Sequence, residues 1–137
     1  MEVVNAPSSK ELFAMPDQDG HPSVEEFDLS KILHALSDEN RRHVIVDLAS
    51  QPEGTEQFCS VFGTPWAPST RTHHFRVLRN AGLVWQRDVG NGRMTRLRRD
   101  DLERAFPGLL DQIIAADKVS SSDAQTEDRD ETLAGGA

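Results

Sequence analysis

Ser69-Thr70-Arg71-Thr72-His73-His74-Phe75-Arg76-Val77-Leu78-Arg79-Asn80-Ala81-Gly82-Leu83-Val84 is the stretch that decides the fold. Its apolar residues recur at helical spacing, and Gly82 is placed as the glycine that ends the helix. The chain then runs into two extended segments, 83–89 and 93–98, joined by Gly90-Asn91-Gly92. Those glycines supply the positive φ that a tight hairpin needs. A helix followed at once by a hairpin is the end of a winged helix-turn-helix.

Residues 69–99 hold eight arginines (71, 76, 79, 87, 93, 96, 98 and 99) and one acid, Asp88, so eight less one gives a local net charge of +7. The whole chain carries −8, which leaves −15 for the other 106 residues. A cationic helix and hairpin inside an acidic protein implies a surface built for a polyanion, of which double-stranded DNA is the leading candidate. On a wheel of about 100° per residue, Phe75, Leu78 and Gly82 share a face with Arg71, while Ser69, Thr72, His73, Arg76 and Asn80 lie opposite. The opposite face suits a major groove: Arg76 can donate two bonds to a guanine, and Ser69, Thr72 and His73 can reach bases or phosphates. A solvated polar face would show the same pattern, but the basic hairpin beside it favours the groove. The expected DNA-contacting set is Ser69, Thr70, Arg71, Thr72, His73, Arg76 and Arg79 on the helix, with Arg87, Arg93 and Arg96 on the wing. At the wing tip, Arg93 is expected to be mobile and to approach backbone or minor groove.

Working outward, Leu29, Ile32, Leu33 and Leu36 follow a helical stripe with Asp28 as cap. Asp38 or Ser37 caps a second helix through Val44, Ile45 and Leu48, which Pro52-Glu53-Gly54 ends. A third short helix is expected from about Thr55 to Val61, burying Phe58 and either Val61 or Phe62. Ser69 is the expected cap of the recognition helix. Arg99 to Ala105 is a short helix, and Pro107 suits the first position of a last one carrying Leu109, Leu110, Ile113 and Ile114. The expected architecture is mainly α with a small β-hairpin (α+β), in the order α-α-α-α-β-β-α. Residues 1–26, rich in acids and proline, are expected to form a disordered arm with one helical turn near Glu11-Leu12-Phe13. Residues 27–117 form the DNA-binding and dimerisation domain, and 118–137 an acidic disordered tail.

From Leu36 to Ile114 the chain resembles the ArsR-type (ArsR/SmtB) transcriptional regulators of bacteria. Leu36-Ser37-Asp38-Glu39-Asn40-Arg41-Arg42-His43-Val44-Ile45 is similar to their L-A/S-D-P-T-R-R-x-I-L opening, with Glu39 and Asn40 replacing Pro and Thr. Ser69 to Val84 is similar to their S-x-x-S-H-H-F-x-V-L-R-x-A-G-L-V recognition helix. Leu97 to Leu110 resembles a variant found in arginine-rich members. The resemblance implies a homodimeric repressor that binds an inverted-repeat operator in the cytoplasm. Dimerisation is expected through Leu29, Ile32, Leu33 and Leu36 of the first helix and Leu109, Leu110, Ile113 and Ile114 of the last. Arg71 departs from the pattern, standing where relatives often have Leu or Val on the buried side.

Metal-sensing members carry E-L-C-V-C-D-L in the third helix, whereas Glu56-Gln57-Phe58-Cys59-Ser60-Val61-Phe62 holds one cysteine. No metal or other cofactor is therefore expected. His73 and His74 are adjacent and point about 100° apart, so they cannot share an ion; His74 is expected to pack inside the fold. His34/Asp38 and His43/Asp47 are the remaining same-helix pairs, and the last helix has no His. Lone Cys59 excludes an internal disulfide and reads as a small buried apolar residue. No catalytic motif is present, no apolar run approaches a membrane span, and no secretory leader is expected. Two rival readings remain: a winged-helix interaction module or co-regulator, and a metal- or redox-responsive switch using Cys59. The sequence names no small-molecule effector.

Overall fold

In the computed structural model, which describes residues 20–119, Asp28 opens helix α1, Leu29–Ser37. Its carboxylate accepts the Ser30 amide at 2.9 Å, one of the amides that a helix start leaves without an internal partner. Asp38 does the same for α2, Glu39–Ala49, accepting from the Arg41 amide at 2.8 Å. Such a cap contributes about 1 kcal/mol. Ile32, Ala35 and Leu36 of α1 join Val44, Ile45 and Leu48 of α2 in one buried cluster.

The corner between these helices is fastened by twin arginines. Arg41 donates from Nε to the Ala35 carbonyl at 2.8 Å and from Nη2 to the His34 carbonyl at 3.2 Å. Arg42 donates from Nη1 to the Leu36 carbonyl at 2.9 Å, and its Nε meets Asp117 at 2.7 Å. These carbonyls are the last of α1, which no further helical turn would satisfy.

The third helix expected from 55 to 61 is instead a strand, β1 (Glu56–Phe58), running into a 3₁₀ turn, Cys59–Phe62. Its ladder partners lie far along the chain: Glu56 faces Arg96 and Phe58 faces Met94. A three-residue strand paired this remotely leaves no local period to read. Phe62 is buried, whereas Val61 is exposed and Phe58 half-buried.

Helix α3, Pro68–Ala81, starts two residues earlier than Ser69 would allow as cap. Ala67 is the cap and Pro68 sits at the first helical position, where its missing N–H has no bond to lose. Gly82 ends α3 as expected, at φ +93°. Strands β2 (Val84–Asp88) and β3 (Arg93–Leu97) form the hairpin, and the sheet order is β1-β3-β2, antiparallel throughout. Gly90 supplies the positive φ at its tip. Helix α4, Arg99–Ala105, follows, and the chain is helical again (α5) from 109 to 119. Pro107 lies in the intervening turn instead of at the first helical position, because Gly108, at φ +82°, still bends the chain. The winged helix-turn-helix therefore stands, with the order α-α-β-α-β-β-α-α.

Two further sequence expectations change. Residues 20–26, assigned to a disordered arm, pack on the domain. His21 is buried and its Nε2 accepts the Gln86 amide at 2.9 Å; the Pro22 carbonyl accepts from Arg98 Nη1 at 2.7 Å. Val24–Glu26 is a 3₁₀ turn closed by Glu26 on the Ser23 amide at 2.9 Å. Ring contacts offset the acidic, proline-rich composition: His21 lies 5.1 Å from Trp85. The helical turn expected near Glu11-Leu12-Phe13 and most of the expected tail lie outside the described residues, while Lys118 and Val119 continue α5.

The second change concerns the expected dimer seam. Ile32, Leu36 and Leu110 are buried in the chain's own core. Leu29 and Leu33 are 44% and 49% exposed, and Leu109, Ile113 and Ile114 pack half-buried at the core's edge. An apolar stripe has the same helical period whether it meets its own domain or a partner, so the sequence merged the two sets.

Candidate nucleic-acid interface

Helix α3 divides as its wheel requires. Phe75, Leu78 and Ala81 are buried, while Ser69, Thr70, Thr72, His73, Arg76 and Asn80 are exposed on the other side. The Thr72 hydroxyl donates back to the Pro68 carbonyl at 3.0 Å, which leaves its oxygen lone pairs and methyl outward-facing groups for a partner.

The start of α3 is held at a fixed angle by His74. Its ring stacks on Trp66, with centroids 4.0 Å apart and planes 14° from parallel. Its Nδ1 lies 2.9 Å from Arg41 Nη1. Burial pushes its pKa below the ordinary imidazole value, and the nearby Arg41 charge lowers it further. The neutral ring then accepts from Arg41 at Nδ1 and keeps its proton on Nε2. Trp66 also meets Phe75 edge-on at 6.2 Å. Sequence reasoning anticipated a packed His74 but missed Trp66 and Arg41 as the residues that aim the helix. The lone signal was an aromatic inside a proline-rich turn.

The eight arginines do not form one surface. Arg76 is exposed on the outer face of α3. Arg71 and Arg79, both half-buried, line a cavity of about 350 Å3 between α3, the 3₁₀ turn and the wing, and Arg93 lines it from the other side. Arg79 Nη1 donates to Gln86 Oε1 at 3.1 Å. Arg93 is thus half-buried beneath the wing, not the mobile tip residue expected.

Pairing register places Arg87 and Arg96 on the sheet face that carries Trp85 and Glu56. Gln86 and Thr95 occupy the opposite face, towards α3, because strand side chains alternate. Arg87 makes a two-bond ion pair with Glu56, 2.8 Å at both Nε and Nη2. This hydrogen bonding holds the Glu56 carboxyl below its usual pKa.

Arg98 and Arg99 serve the fold. The Arg98 side chain is fully buried, with Nε 3.0 Å from Asp101 and its guanidinium 3.7 Å above the Trp85 ring and 4.8 Å from that of Phe27. Arg99 donates from Nη2 to the Ala49 carbonyl at 2.7 Å. The local charge of +7 is therefore partly neutralised in place, by Glu56 and Asp101. The groups facing outward on the recognition helix are fewer and more polar than the arginine count implied.

Cys59 lies half-buried with Sγ 3.1 Å from Thr95 Oγ1 and accepts from Gln86 Nε2 at 3.3 Å. Among the described residues, no group of three or more His, Cys, Asp or Glu could hold a metal ion. No described helix is long and apolar enough to cross a membrane.

No family model matches the chain. Over 86 residues it is 33% identical to the uncharacterized HTH-type transcriptional regulator YceK of Bacillus subtilis (strain 168), covering 61% of this chain and 84% of that protein. A crystal structure of an ArsR family transcriptional regulator is 22% identical, with a TM-score of 0.49 over 61% of this chain and 90% of the other. An ArsR-like transcriptional regulator from Rhodococcus sp. RHA1 is 21% identical, with a TM-score of 0.44 over 77% of this chain and 88% of its own.

Proposed function

This chain belongs to the HTH-type transcriptional regulators, which are not enzymes, and we propose that it acts as an ArsR-type homodimeric repressor on an inverted-repeat operator. The observation that supports this reading is the outer face of α3, where Ser69, Thr70, Thr72, His73 and Arg76 stand exposed beside a basic hairpin. A helix of this width fits the major groove, and Arg76 is the residue on it able to make a two-bond contact with guanine. Arg71 and Arg93, both half-buried between helix and wing, are the cations assigned to phosphate in this arrangement. Arg79, Arg87 and Arg96 contribute mainly through the field they add, since Arg79 turns to Gln86 and the other two lie on the far sheet face.

Dimerisation uses a narrower seam than the sequence suggested. Leu29 and Leu33 are the large apolar residues α1 leaves exposed. Leu29 and Leu109 line one open apolar groove with Phe106 and Pro107. A second copy related by two-fold symmetry would cover it and space two recognition helices for two half-sites. The working compartment is the cytoplasm, where the operator is.

Fluorescence anisotropy on a duplex from upstream of the gene tests the reading. Arg76→Ala should cost about 1–3 kcal/mol on the cognate site and relax preference at one or two base pairs. Arg93→Ala should weaken cognate and scrambled duplexes alike and reduce the log–log salt slope by about one unit. If neither variant changes binding to any duplex, the cationic face serves a protein partner and the repressor reading falls.

A further inference from the structure

Arg71 occupies a helical position that would ordinarily hold an apolar residue against the body of the domain, and the cavity it lines explains how a cation is tolerated there. Three guanidinium groups, from Arg71, Arg79 and Arg93, border this space of about 350 Å3. Phe58 and Phe75 supply apolar wall, and Gln86 lies at its base. Gln86 is held in place by its own bonds, donating to Cys59 Sγ at 3.3 Å and Thr95 Oγ1 at 3.4 Å while accepting from Arg79. No Asp or Glu lines the cavity. Its volume falls in the range of small-molecule sites. Cationic groups around an apolar-walled concavity focus a positive potential into it.

We propose that this cavity binds a small aromatic carboxylate and that its occupancy lowers affinity for DNA. The ring lies against Phe58 and Phe75, and the carboxylate is held by Arg71 and Arg93, whose planar guanidinium groups match it in two-bond geometry. The second half of the proposal rests on the DNA-binding reading; the first does not. Occupancy acts on DNA in two ways. It withdraws Arg71 and Arg93 from phosphate, and it fixes the separation of α3 from the wing. The wing follows the cavity wall closely, because a Cβ on Gly92 would lie 3.0 Å from the Phe58 ring. A ligand that moves Phe58 therefore moves Gly92. By linkage, duplex must weaken the ligand by the same factor that the ligand weakens duplex.

Isothermal titration of the full chain with 1-naphthoate, and separately with neutral 1-naphthalenemethanol, tests the site without DNA. One molecule of naphthoate per chain should bind, at least tenfold more tightly than the alcohol. Arg71→Gln should weaken naphthoate at least tenfold with the alcohol little changed, a selectivity that mere loss of folding would not produce. Ser60→Trp, at an exposed position on the rim, should block both probes and leave the melting temperature unaltered. Equal affinity for the two probes, or naphthoate binding untouched by both substitutions, overturns the site. Saturating naphthoate should then raise the Kd for the cognate duplex at least tenfold; an unchanged Kd overturns the regulatory half. Naphthoate binding by a protein that binds no duplex rejects the repressor reading and the regulatory half but leaves the site standing. Duplex binding without naphthoate binding rejects the site, and the regulatory half with it, and leaves the repressor reading standing.

Discussion

Arg98→Met separates an arginine that builds the fold from one that meets DNA. The native guanidinium is buried, 3.0 Å from Asp101, bonded to the Pro22 carbonyl at 2.7 Å and seated 3.7 Å above Trp85. Removing it leaves the Asp101 carboxylate, only 8% exposed as a residue, without that charge partner. Breaking a buried ion pair from one side costs about 3–5 kcal/mol. The bond to Pro22 and the contact with Trp85 each act in the same direction, at about 1–3 and 0.5–2 kcal/mol, but they overlap with the pair and do not add in full. A loss of about 3 kcal/mol should lower the melting temperature of a domain this size by at least about 12 °C. Thermal and urea unfolding followed by circular dichroism measure it, with Trp85 fluorescence reporting the local environment. The double variant Arg98→Met/Asp101→Leu should recover part of the loss, because it removes the stranded charge. Held well below its melting point, Arg98→Met should keep the wild-type salt slope for duplex. If it melts within about 2 °C of wild type yet binds DNA more weakly, the reasoning is refuted.

Gly82→Ala should destabilise by about 2–4 kcal/mol, since the position has φ +93° and the added Cβ would strike the Phe27 ring; a urea midpoint equal to wild type would count against that packing. His74 has a lowered pKa in the fold, so as pH falls the unfolded chain takes up this proton first. Stability should therefore be unaffected by this group above about pH 7 and decline as pH drops through about 6.5 towards the folded value, and His74→Gln should flatten that slope in melting curves. Leu33→Glu adds a charge at a position already half exposed, so the monomer should stay folded while self-association weakens about a hundredfold, roughly 2.7 kcal/mol. Sedimentation measures it, and a wild-type protein that remains monomeric at high concentration would reject the seam.

Where a residue acts on its immediate neighbours, the sequence was a good guide. Asp28 and Asp38 cap the helices they precede, Gly82 ends α3, and Gly90 turns the hairpin. The two faces of α3 followed from its period alone. Contacts made across the chain were not legible. Glu56-Gln57-Phe58 becomes a strand only because β3 offers it a ladder. The eight arginines look alike as letters, yet register sends Arg87 and Arg96 to one face of the sheet and burial takes Arg98 into the core. Charge counting sees the sum and not the partners, so Glu56 and Asp101 were invisible to it.

The anchoring of His21 bears on how the molecule avoids its own kind. β2 is an edge of the three-stranded sheet, and the Gln86 amide points away from β3. An outward amide in the middle of an edge strand is a template for another strand to add to, the first step of edge-to-edge aggregation. The buried imidazole occupies that amide, and the Pro22 carbonyl bound to Arg98 keeps the backbone around it in place. A side chain, unlike a fourth strand, ends the ladder, because it accepts one bond and presents no further edge. The few residues ahead of the first helix thus act as a stopper on the sheet, and a chain cut at residue 27 would expose an adhesive strand while keeping every residue of α3 and the wing.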